Sequence, residues 1–165
     1  MELGPIPVLP AAVGGAIALL TILVGLVLLR RRARGREVVV DGSNVLHWGG
    51  GGPQLSTLRA VLDHLAAQGL RPAVIFDANA GYLVSDRYRD DAWFAERLTL
   101  PASRVLVVAK GTVADAVILQ AARDRRARIV TNDRYRDWAD RFPEVEQAGR
   151  LVAGRVRRGR VELRP

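Results

Sequence analysis

The chain has 165 residues and a formal net charge of +8, which allows one ordinary domain and an accessory segment. It has no cysteine and only two histidines, His47 and His64; this excludes disulfides and thiolate zinc sites and leaves oxygen ligands, as Mg²⁺ or Mn²⁺ prefers, for any metal. Lys110 is the only lysine, so the positive charge is arginine, whose planar fork suits a polyanionic partner as well as a plain solvated surface.

No charged residue occurs between Leu3 and Leu29. Pro5, Pro7 and Pro10 spoil the first ten residues for a helix, so the sequence predicts a membrane-spanning helix over Ala11–Leu29, reaching back at most to Val8. About 22 residues at about 1.5 Å each give roughly 33 Å, enough for a bilayer core. Arg30, Arg31, Arg32, Arg34 and Arg36 follow directly, against Glu2 alone on the other side. That asymmetry predicts a retained single-pass anchor with the N-terminus outside and the remainder in the cytoplasm. A cleaved signal peptide would carry its basic cluster before the apolar run. The expected organisation is an anchor over 1–29, a basic linker over 30–36 and one domain over 37–165, at the bacterial cell membrane.

Past the linker, strands and helices alternate, predicting an α/β domain with a mainly parallel sheet. Glu37–Asp41 reads as a fully buried first strand ending in a carboxylate, with a tight turn at Gly42-Ser43-Asn44. Gly49–Gly52 and Pro53 read as a flexible loop. Leu55, Leu58, Leu62 and Leu65 recur at helical spacing up to Gly69, with His64 an ordinary boundary residue. Pro72–Asp77 is a second strand, Ala78–Asp86 a loop, Arg87–Leu98 a helix facing Trp93, Phe94 and Leu98 inward, and Arg104–Val108 a third strand. Thr112–Arg123 is an apolar helix, Ala127–Thr131 a fourth strand, and Tyr135–Phe142 a short helix. Arg150–Arg164 alternates apolar and basic residues around Arg158-Gly159, as a strand or small hairpin would.

Strand ends at the carboxyl edge of such a sheet are where ligands gather. Asp41 is at one. Asp133 follows another, with Asp137 four residues on and on the same face if that turn is helical. Asp115 is the only charged residue between Lys110 and Arg123. It is either a member of a capping box with Thr112 or a functional acid that needs a partner. Asp77 ends the second strand as a turn residue or a further acid. Asp-Arg-Tyr-Arg-Asp occurs at Asp86–Asp90 and again at Asp133–Asp137, with no longer repeat around it. Asp41, Asp115 and Asp133 would share one sheet edge, where mutual repulsion drives carboxylates toward protonation unless a divalent cation intervenes.

The runs Val39-Val40-Asp41-Gly42-Ser43-Asn44 and Val130-Thr131-Asn132-Asp133-x-Tyr135-Arg136-Asp137, with Asp115 between them, resemble the NYN branch of PIN-like ribonucleases, the Regnase-type endoribonuclease domain above all. The resemblance covers Glu37 to the C-terminus. It implies a PIN-like three-layer domain with strand order 3-2-1-4 and room for a fifth strand. It also implies a Mg²⁺-dependent (or Mn²⁺-dependent) endoribonuclease that cuts RNA, single-stranded for preference, by metal-activated water, leaving 5′-phosphate and 3′-hydroxyl ends. By the same resemblance Asp41, Asp115 and Asp133 are the metal ligands, Asp137 completes the catalytic set, and Asn44 orients the phosphate or a metal-bound water. Arg134, Arg136, Arg157 and Arg158 are the expected backbone-binding residues. Two features depart from that pattern: Ala114 stands where an Asp-Asp pair is common, and no CCCH zinc finger is present. The alternatives are a non-catalytic RNA-binding module of the same fold and a nuclease acting on DNA; a homo-oligomer is left open.

Overall fold

The computed structural model describes residues 19–26 and 37–164. The chain divides into two units, one up to Arg34 and one from Gly35. Of the first, residues 19–26 are helical. Most of the expected membrane helix lies outside the described residues, and among these no helix is long and apolar enough to cross a membrane.

The second unit is built outward from β1 (Glu37–Asp41). Val38, Val39 and Val40 are all buried, because β-branched side chains suit a strand covered on both faces. β2 (Arg71–Phe76) and β4 (Arg128–Val130) flank it, both parallel. β3 (Val105–Val107) pairs with β2 and β5 (Leu151–Arg157) with β4, again parallel, and β6 (Arg160–Arg164) closes the series antiparallel to β5. The order β3-β2-β1-β4-β5-β6 contains the expected 3-2-1-4 arrangement and extends it by two strands, making a mixed six-stranded sheet.

Period-two alternation sends Val38 and Val40 to one face and Val39 to the other. The first face is covered by α2 (Leu55–Ala67) through Leu58, Val61, Leu62 and Leu65 and by α4 (Asp91–Leu98) through Phe94 and Leu98. The second is covered by α5 (Ala114–Arg125) through Ile118, Leu119 and Ala122, together with Tyr135, Phe142 and Val145. A short helix α1 (Gly42–Val45) follows β1, and α3 (Ala80–Ser85) follows β2. At the amino edge of the sheet Arg104 grips Glu37 with two bonds of 3.0 Å. That fork holds the Glu37 carboxyl below its ordinary pKa.

Three local expectations are corrected. Residues Ala80–Ser85, read as loop, are helical, because Gly81 lets the backbone of Arg87 and Arg89 lie directly on the helix. The short helix expected over Tyr135–Phe142 is only a 3-10 turn at Arg136–Trp138; Tyr135 takes the left-handed conformation and prevents a longer helix from starting. The capping box of Thr112 and Asp115 does not form: Val113 precedes the helix and no side chain caps it.

Candidate active site

β1, β2 and β4 run parallel, so their carboxyl ends share one edge. Asp41 ends β1 there and is only 8% exposed. A carboxylate so placed must be hydrogen-bonded. Its Oδ1 accepts the Asn44 backbone N–H at 3.1 Å. Its Oδ2 accepts the Thr131 hydroxyl and the Tyr135 phenol, each at 3.0 Å. Burial pushes the Asp41 carboxyl above its ordinary pKa, against the pull of these donors, and the nearby Asp115 charge adds to the rise. Tyr135 is buried too, and its phenol is pushed far up, first by burial and then by the Asp41 charge; it stays a donor.

Asp115 sits in the first turn of α5 and accepts the Trp138 indole N–H at 3.3 Å. Burial raises its pKa, the Trp138 bond opposes this, and the charge of Asp133 raises it further. Asp133 is exposed and folds back on its own chain, its Oδ1 accepting the Tyr135 N–H at 2.8 Å. The three acids therefore lie in one electrostatic neighbourhood, Asp41 beside Asp115 and Asp115 beside Asp133. They are not a preformed cage: among the described residues no group of three His, Cys, Asp or Glu side chains is arranged to hold a metal ion. Asp137 is exposed in the 3-10 turn, and without an α-helix there it shares no helical face with Asp133.

Asn44 accepts two donors on Oδ1, the Trp48 indole and the Asn132 backbone N–H, each at 2.9 Å. Both partners are donors, so the atom facing them is oxygen and the NH₂ is the end turned away from them. Asn132 in turn bonds Gly154 twice, through Nδ2 and Oδ1, at 2.9 Å each. Its side chain thus imitates a strand beyond the end of β4, and the Val156 N–H to Trp48 carbonyl bond continues the zipper. β5 consequently overshoots β4 along the sheet's carboxyl edge, and Arg157 and Arg158 stand exposed at its tip. Arg134 and Arg136 are exposed beside Asp133. Asp77, by contrast, closes its own turn on the Asn79 N–H at 2.7 Å.

The sequence reading missed Thr131, Tyr135 and Trp138 as the donors that make the acids tolerable. Tyr135 and Thr131 stand in the run from Val130 to Asp137; only a hydroxyl next to a buried acid would have marked them, and that adjacency arises in the fold.

A family model described as the Zc3h12a-like ribonuclease NYN domain matches residues 34–153. Comparison with curated proteins gives no match. Among solved structures, a crystal structure of nuclear proteinaceous RNase P 2 from Arabidopsis thaliana is similar at 19% identity and a TM-score of 0.57, over 78% of this chain and 29% of that one. A second structure, of Arabidopsis thaliana nuclear protein-only RNase P 2, gives 19% identity and a TM-score of 0.61, over 93% and 35%. The chain spans about a third of the length of those proteins, and at that identity the likeness is one of fold. With the family model covering well over half of its residues, the chain belongs to the Zc3h12a-like ribonuclease NYN domain family.

Proposed function

We propose that this protein is a Mg²⁺-dependent endoribonuclease, held at a membrane by its N-terminal apolar segment with the nuclease domain in the cytoplasm. The observation that carries the catalytic reading is a buried Asp41 at a sheet's carboxyl edge, bonded to the hydroxyl of Tyr135 whose backbone N–H is held by Asp133, with Asp115 near enough for its charge to raise the Asp41 pKa. The donor set is entirely carboxylate oxygen, which fits a hard cation, and Mg²⁺ commonly takes one or two carboxylates with waters and substrate phosphate completing its shell. Asp41, Asp115 and Asp133 would hold it; when bound, the ion supplies a water of lowered pKa and offsets charge on the phosphodiester. The Asn44 amide, locked by its oxygen, would present NH₂ to a phosphate oxygen. Arg134, Arg136, Arg157 and Arg158 would bind the RNA backbone without choosing sequence. The apolar run followed by arginines supports the anchor.

The rival reading is a non-catalytic RNA-binding module. It is favoured by the lack of a preformed three-acid cluster among the described residues and by Asp41 serving internal donors. The full chain in detergent should cut labelled single-stranded RNA with Mg²⁺ and stop with chelator. Asp41→Asn should lower the rate by at least about 100-fold, roughly the worth of one key electrostatic group, while RNA still binds. Equal cutting by Asp41→Asn sinks the assigned centre, binding without any cutting supports the module, and a parallel DNA substrate decides the nucleic acid. Carbonate-washed membranes should retain the full chain and release one that starts at Glu37.

A further inference from the structure

Of the chain's three Trp, three Tyr and three Phe, only Tyr82 and Tyr88 are well exposed, at 54% and 55%. Both line one cleft of roughly 440 Å³, together with Ala78, Asn79 and Lys110, the sole lysine. Single exposed tyrosines are ordinary; two in one cleft with that lysine are not explained by packing. The cleft also lies on the sheet's carboxyl edge. Ala78 and Asn79 follow the end of β2 and Lys110 the end of β3. The Asp77 N–H is held by the hydroxyl of Ser43, two residues past Asp41, at 3.1 Å. With strands about 4.8 Å apart, the cleft is roughly 5–10 Å along the edge from Asp41.

The backbone that carries the two rings is braced. Tyr82 is on α3, and the chain reverses at Asp86, φ 58°, to bring Tyr88 back. A Cβ on Gly81 would meet the backbone of Arg89 and lie 2.7 Å from the Arg87 carbonyl, so helix and return segment touch. The Ser85 hydroxyl donates to the Gly81 carbonyl at 2.9 Å and accepts from Arg89 Nε at 2.8 Å. The Arg89 guanidinium lies over Trp93, 4.7 Å from the ring centre. A braced backbone spares a stacking ligand the cost of ordering this segment.

We propose that this cleft is a base-stacking subsite for single-stranded RNA, with unpaired bases seated on Tyr82 and Tyr88 and a phosphate drawn by the Lys110 ammonium. It rests on the endoribonuclease reading and names the residues that would seat the unpaired bases of its substrate. Every base has a π-face, so the subsite tolerates any sequence, and it rejects duplexes, whose bases are buried in their own stack.

The test uses the full chain in detergent and a fluorescent single-stranded oligoribonucleotide in chelator, so that binding is read without cleavage. Tyr82→Ala and Tyr88→Ala should each weaken binding about 5- to 100-fold. Tyr82→Phe and Tyr88→Phe should bind as wild type, and the weak binding of a duplex of the same sequence should not change. Matching thermal melts exclude unfolding. Alanine variants that bind within about twofold of wild type overturn the subsite and leave the tyrosines to a protein partner. Phenylalanine variants as weak as the alanine ones overturn stacking in favour of the hydroxyls. If wild type cuts RNA with Mg²⁺ while the alanine variants bind unchanged, the subsite fails and the nuclease stands. If wild type neither binds nor cuts, both fall.

Discussion

Tyr135 holds a backbone φ of 49° with a buried ring, a conformation that costs a non-glycine residue about 1–3 kcal/mol. What keeps it there is its N–H on Asp133 and its hydroxyl on Asp41. Tyr135→Phe should therefore cost about 1 kcal/mol of stability. It also removes a donor that lowers the Asp41 pKa, so the carboxylate ionises at higher pH and the rising limb of the cleavage–pH profile should move alkaline. An unchanged profile would show that Asp41 does not set it. For Asp115 the sign runs through burial: its folded pKa lies above the ordinary 3.8, so ionising it disfavours the folded state. That penalty is absent below about pH 3.8 and complete once pH has risen past the folded pKa. Asp115→Asn keeps an acceptor for Trp138 and removes the charge. It should raise Tm at neutral pH and leave it unchanged near pH 3, while cleavage falls. A lower Tm at neutral pH would contradict the cause assigned to the shift.

At the level of elements, β1, α2, β2 and the C-terminal hairpin were legible in the sequence, because each carries its own period and its own stop. β1 is a run of valines ended by Asp41, α2 a leucine stripe ended by Gly69, and the hairpin turns at Arg158-Gly159. The segment after β4 was not legible. Asp133–Asp137 looks like a helix start, yet contacts distant in sequence, from Tyr135 to Asp41 and from Trp138 to Asp115, fold it into a turn. Its twin at Asp86–Asp90 shows the same thing from the other side: there the tyrosine is exposed and the last acid caps α4 through the Trp93 N–H at 2.9 Å. The acids of the candidate site stand out one by one in the sequence. Their tolerance of each other was not, since it is owed to donors brought in by Thr131, Tyr135 and Trp138. Gly154, too, has its reason only in the fold. A Cβ there would drive into Trp48 and stand 2.9 Å from the Glu162 carbonyl. Gly154→Ala should destabilise the domain by about 1–3 kcal/mol and, by unzipping β5 from Asn132, slow cleavage beyond what the loss of stability explains. Full activity at full occupancy of the folded state would show that the overshoot of β5 is not needed.

For the whole molecule, the +8 balance predicts salt-sensitive RNA affinity. Arg134, Arg136, Arg157 and Arg158 enter none of the ion pairs among the described residues, so each is available to a phosphate. On single-stranded RNA, Arg157→Gln and Arg158→Gln should each reduce the slope of log affinity against log salt by about 0.7; an unchanged slope would place the hairpin tip away from the RNA. The same hairpin settles another matter. A sheet of six strands ends in an outer strand whose backbone groups invite a stranger. On β6 the residues turned outward are Arg160, Glu162 and Arg164, and Arg155 is tied to Glu162 across the pair at 2.7 Å. Any second sheet docking there would have to strip water from that row of charges, so the β6 edge resists growth into fibrils or chance assemblies even when many copies are crowded together.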